Sequence, residues 1–97
     1  MVKITEEEYL IISKTIIKKL YSVRAWGKGH LLIERFKSGL PSHYKGDVDY
    51  VVKDLMKKEI ILPYGKTKHG FAVYLNKNKI KEILQILEEN YSSIFGS

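Results

Sequence analysis

The sequence predicts an α+β domain, mainly helical, in the order helix, helix, helix, two-stranded hairpin, helix. Three observations carry that reading. Apolar residues recur at helical spacing up to about position 58; two short β-type runs then flank a glycine-bracketed polar turn; helical spacing returns after Asn76. At 97 residues the chain has room for one hydrophobic core, so a single domain is expected over 1–97, with 5–75 as its body and 76–95 as an added helix.

The first helix opens at Thr5. Thr5-x-x-Glu8 is a capping box, in which hydroxyl and carboxylate satisfy two otherwise orphaned amides, and Glu6, Glu7 and Glu8 suit the positive end of the helix dipole. Tyr9, Ile12, Ile16, Leu20 and Val23 follow at helical spacing, widened by Leu10 and Ile17, so this helix is expected to reach Val23. Trp26-Gly27-Lys28-Gly29 breaks it, with Trp26 expected to close the gap between helices. A short second helix is expected from His30 to Lys37, with Leu32, Ile33 and Phe36 inward. Ser38-Gly39-Leu40-Pro41 supplies a stop and a tight turn.

Ser42 is expected to cap the third helix, whose inward face is Tyr44, Val48, Val51, Val52 and Leu55. Glu59-Ile60-Ile61-Leu62-Pro63-Tyr64 reads as a strand that Pro63 confines to a sheet edge. Gly65 to Gly70 reads as the turn and Phe71-Ala72-Val73-Tyr74-Leu75 as the returning strand. Asn76 caps the last helix, in which Ile80, Leu84, Leu87, Tyr91 and Ile94 step by four and three. That stripe admits two partners: the first helix of the same chain, or its own copy in a homodimer.

With 44% hydrophobic and 29% charged residues, the composition is that of an ordered globular domain rather than a disordered tail. The absence of cysteine removes disulfides and thiolate metal sites. The start of the sequence lacks a signal-peptide pattern, and no apolar run approaches a membrane span, so a cytoplasmic protein is expected. The charged and aliphatic residues are mostly Lys, Glu and Ile, and Gln occurs once, a bias of thermophile proteins that an AT-rich genome would also produce.

No phosphate loop, nucleophile elbow or Ser/His/Asp set is present, and the three histidines lack ligand spacing. Neither an enzyme, a metal site nor a cofactor is expected. The net charge of +6 and pI near 9.5 favour a polyanionic partner. Most of the basic excess lies in Lys14, Lys18, Lys19, Arg24, Lys28, Arg35, Lys37 and Lys45, which face only Glu34 in that stretch.

The order helix, short helix, Gly39-Leu40-Pro41 turn, longer helix and hairpin with a basic tip resembles the winged helix-turn-helix superfamily over residues 5–75, in the manner of small archaeal members. Leu55-Met56-Lys57-Lys58-Glu59-Ile60-Ile61 is similar to the family's exit from recognition helix to wing, with Glu59 where members often carry Gly. The resemblance implies binding of double-stranded DNA, in transcription regulation or chromatin, with the third helix in the major groove and the wing on the backbone.

Carried onto this chain by helical geometry, it places Gly46, Tyr50, Lys53 and Lys57 opposite the buried stripe, with His43 and Lys45 near the helix start. At the wing, Lys66, Lys68 and His69 form the expected phosphate clamp, with Thr67 as a further donor. Asp47, Asp49 and Asp54 make the third helix neutral; the first two suit a helix N-terminus, and Asp54 has Lys57 or Lys58 in reach. The alternative is a winged-helix module that binds another protein in a larger assembly.

Overall fold

A computed structural model describes residues 4–38 and 40–88. Helix α1 spans Glu6–Ser22, and its capping box forms as expected: the Glu8 amide donates to Thr5 Oγ1 at 3.1 Å, and the Thr5 amide to Glu8 Oε1 at 3.1 Å. Leu10, Ile12, Ile16, Ile17 and Leu20 are buried, whereas Val23 lies beyond the last turn and is 52% exposed. Ser13 is the one buried polar residue among those described; its hydroxyl donates back to the Tyr9 carbonyl at 2.8 Å. Trp26 packs against the core, edge-on to Tyr21 at 6.0 Å between ring centroids.

The second element departs from expectation. His30 does not open a helix; Leu31–Leu32 form a short strand β1, and α2 is confined to Ile33–Lys37 with Phe36 its sole buried residue. The expected third helix is divided into α3, Ser42–Lys45, and α4, Val48–Lys57. Ser42 is the first residue of α3 and not its cap, a position taken by Pro41. Through the break the chain stays right-handed but tightens: the Tyr44 and Asp47 amides bond carbonyls three residues back, at Pro41 and Tyr44, before Val51 resumes the four-residue step onto Asp47. Val48, Val51, Val52 and Leu55 of α4 are buried as the stripe predicts.

Strands β2, Ile61–Thr67, and β3, Gly70–Leu75, pair antiparallel, and β1 joins on the other side of β3, giving the order β1-β3-β2. The expected two-stranded hairpin is thus part of a three-stranded sheet. Pro63 lies on the edge strand, where its missing N–H costs no ladder bond. A 3₁₀ turn at Lys77–Lys79, capped by Asn76, leads into α5, Ile80–Leu87, which packs on α1. The fold is therefore α+β, mainly helical, around one core made by α1, α2, α4, α5 and the inner sheet face. Among the described residues no helix is long and apolar enough to cross a membrane.

The exit from α4 is more regular than the missing glycine suggests. The Glu59 amide bonds the Met56 carbonyl and the Ile60 amide bonds the Leu55 carbonyl, both at 3.0 Å, closing the helix with Glu59 left-handed at φ 62°. A side chain in that conformation costs about 1 kcal/mol relative to glycine. Glu59→Gly is expected to raise stability by about 0.5–1 kcal/mol in urea titration, because the bond from Asn76 Nδ2 goes to the Glu59 backbone carbonyl and survives the change. A loss of stability would show that the Glu59 side chain has a role the backbone does not reveal.

Candidate nucleic-acid interface

Helix α4 presents Asp49, Tyr50, Lys53 and Lys57 away from the core. Its flank toward the hairpin is a hollow of about 340 Å³ lined by Ile33, Asp49, Val52, Lys53, Met56 and Phe71. Phe71 sits opposite Lys66 in the β2–β3 ladder, so the two side chains share the face of the hairpin that looks toward α4. Lys53 of the helix and Lys66 of the hairpin are thereby brought to one side of the molecule. Both are exposed, and neither has a hydrogen bond or ion pair among the described residues.

His43 and Lys45 belong to α3 rather than to the long helix; both are exposed, the His43 ring tilted against Tyr44 at 4.2 Å. Gly46 ends α3. Its φ of −68° is open to any residue, and a Cβ there would meet nothing within 4 Å, so neither backbone nor packing inside the chain calls for glycine.

At the hairpin tip the Thr67 hydroxyl donates to the Gly70 carbonyl at 2.7 Å and accepts from the His69 amide at 3.1 Å. Its proton is spent inside the turn, so Thr67 shapes the tip instead of serving as a phosphate donor. The turn is tighter than expected, with only Lys68 and His69 between the strands. Lys68 is exposed there, but His69 lines a different hollow, with His30, Leu31, Leu32, Arg35 and Thr67, and is not gathered with Lys53.

The aspartates that neutralise the helix are largely engaged. Asp54 accepts from the Tyr9 hydroxyl and pairs with Lys58 at 2.9 Å, and Lys58 Nζ also reaches Tyr9 Oη at 3.2 Å. Asp49 lies 3.8 Å from Lys37. The Tyr9–Asp54–Lys58 cluster ties α1 to α4 and borders a hollow of about 420 Å³ that Tyr50 also lines. Tyr50 is therefore on the α1 side of the helix, and Lys53 on the hairpin side.

Burial, and then the bond to Asp54, push the Tyr9 phenol up to about 12. Burial alone would raise Asp54, but the hydrogen bonds from Tyr9 and Lys58 outweigh it and hold the carboxyl below its ordinary value. The bond to Asp54 raises Lys58. Tyr9 is raised in the folded state, so its contribution is complete below pH 10 and fades as pH climbs toward 12; Asp54 is lowered, so its contribution fades in acid. Tyr9→Phe is expected to cost about 1 kcal/mol at neutral pH. In paired denaturant titrations the difference should close as pH approaches 12. A difference constant with pH would remove the phenol from the cluster.

The sequence missed Phe71 as a surface residue, whereas Ile33, expected inward, and Met56 pack partly against the core while lining the hollow beside α4. Phe71 alternates with buried Val73 and Leu75 and so reads as core, yet it lies at the strand's outer end and is 38% exposed. In the last helix Ile83, outside the expected stripe, is buried, while Ile80 and Leu84 of that stripe are 41% and 38% exposed. Leu87 packs partly against the core; Tyr91 and Ile94 lie outside the described residues. No family model matches the chain, and no curated protein and no solved structure is significantly similar to it.

Proposed function

We propose that this chain is a winged helix-turn-helix protein that binds duplex DNA without catalysis, α4 lying in the major groove and the β2–β3 wing on the backbone. The observation that carries the reading is the shared side of Lys53 and Lys66, cations without partners among the described residues on the helix and the wing of one face. Three features support it. Strand β1, between the first two helices, pairs with β3, so the hairpin is fixed to the helical body as a wing must be. Asp54 is turned into a cluster with Tyr9 and Lys58, which takes one of the three negative charges off the reading surface. Gly46, which nothing inside the chain requires, leaves room for a close approach of the sugar-phosphate backbone.

In this reading Lys53, Lys57 and Tyr50 address base edges and phosphates, His43 and Lys45 the backbone near the helix start, and Lys66 and Lys68 the backbone at the wing. The test is binding to a random-sequence duplex of about 25 base pairs across a salt series, where log affinity falls by about 0.9 per contacted phosphate for each decade of salt. No binding at low salt would end the DNA reading and favour the protein-binding module.

The exposed Ile80 and Leu84 favour a second copy as partner. They lie one turn apart on α5, while Ile83 is buried and Ile86 and Leu87 pack on the core, so the two apolar lines of the helix divide between the chain's own body and a neighbour. A homodimer would present two recognition helices to two half-sites. Leu84→Glu is expected to give a monomer by sedimentation with its melting temperature at low concentration unchanged; a dimer that persists would rule out this face.

A further inference from the structure

A second surface lies on the other face of the hairpin. Neighbouring ladder pairs point to opposite sides of a pleated sheet, so Thr67, next to Lys66, faces away from α4. There, a hollow of about 260 Å³ is lined by His30, Leu31, Leu32, Arg35, Thr67 and His69. No carboxylate is among these residues, whereas the hollows beside α4 include Asp49 in one and Glu6 and Asp54 in the other. Arg35 is exposed, and its guanidinium has no partner among the described residues.

Beside this hollow stands an aromatic stack. The Tyr64 ring lies flat on His30, with 3.7 Å between centroids and 13° between planes. Tyr64 has no cross-strand partner, because Pro63 pairs with Val73 and Gly65 with Ala72; it is the extra residue of a bulge. Bulges re-aim side chains, and Gly65 at φ 133° supplies the backbone conformation that this one needs. His30 covers one face of the Tyr64 ring, and the residue as a whole remains 49% exposed.

We propose that this face binds single-stranded nucleic acid: a base stacks on the face of Tyr64 opposite His30, and Arg35 and His69 hold the adjoining phosphates. Every base has a π-face, so the site tolerates any sequence. A flat ring already fixed by a neighbour loses little freedom when a base settles on it. A duplex hides its base faces inside the stack and cannot use the platform, which makes this site separate from the α4–wing surface. Lys68, in the turn between the two faces, adds positive charge to the same end.

The experiment compares the whole chain with Tyr64→Ala, Tyr64→Trp and Arg35→Ala. Fluorescence anisotropy is read on oligothymidylate and oligouridylate of about 15 nucleotides, with a random duplex in parallel. Tyr64→Ala should weaken binding of both single strands by about tenfold, the worth of one stacked base, and leave duplex affinity unchanged. Tyr64→Trp should restore or tighten binding, and Arg35→Ala should flatten its salt dependence. Absence of single-strand binding, or a Tyr64→Ala variant that binds as the wild type does, overturns the proposal. If duplex binding persists in that case, the duplex reading stands alone; if duplex binding also fails, both fall. Unequal affinity for the two oligomers would reflect the thymine methyl and the sugar together, and either preference supports the site.

Discussion

Phe36→Ala is expected to remove about 3–5 kcal/mol of stability, the largest effect of any single truncation considered, and to lower the melting temperature by about 15–30 °C. Helix α2 has five residues, too few to persist by its own hydrogen bonds, and Phe36 is its only buried side chain. The phenyl ring is therefore what holds α2 against α1 and α4. Further fixation comes from Lys19 on α1, whose ammonium caps the end of α2 through the Arg35 carbonyl at 2.9 Å and Ser38 Oγ at 3.2 Å. Neither contact replaces the volume lost. Because a domain of this size has about 5–15 kcal/mol in all, the variant should sit near its folding threshold at ordinary temperature. Val23→Ala is the control, since that residue is 52% exposed and should change stability by less than about 0.5 kcal/mol. Equal losses in thermal melts would mean that α2 is not anchored through Phe36.

The contrast between Phe36 and Val23 also shows where the sequence is informative. Periodicity identifies Ile12, Ile16, Leu20, Val48, Val51, Val52 and Leu55 as inward, because a long helix repeats its message every turn. Local chemistry is equally legible: the Thr5–Glu8 box forms, and Pro63 does mark the edge strand. Val23 shares the helical spacing but falls after the last turn, where spacing no longer dictates direction. Strand β1 has two residues, too short for any period, and exists only because β3 pairs with it some forty residues later. The last helix carries two apolar lines, and only the position of α1 decides that Ile83, and not Ile80 or Leu84, turns inward.

The candidate site divides in the same way. Lys53, Lys57 and Lys66 follow from helix phase and from the position of the turn. The Tyr9–Asp54–Lys58 cluster was half legible: Lys58 was in reach of Asp54 by helical spacing, but Tyr9 arrives from 45 residues away. His69 and Thr67 could not be placed from sequence, because the sides of a hairpin depend on a register that the bulge at Tyr64 shifts by one residue. That same shift turns Tyr64 toward His30, a contact invisible to any local pattern.

Combining Lys53→Ala with Lys66→Ala is expected to lower duplex affinity about 30-fold near 0.15 M salt and to reduce the salt slope by about two units, with stability unchanged. Each lysine that neutralises a phosphate releases counterion at a rate of about 0.9 per contact, which near 0.15 M is worth about fivefold, and the loss shrinks as salt approaches 1 M. The two residues lie on different elements, α4 and β2, and share no partner, so their effects should add. Adding also distinguishes a face from a charge. Lys18→Ala with Lys28→Ala removes the same two charges from exposed positions outside α4 and the β2–β3 hairpin, and should leave the slope nearly intact. If the control pair loses as much as the test pair, affinity follows net charge alone, and α4 and the β2–β3 hairpin have no special claim on the duplex.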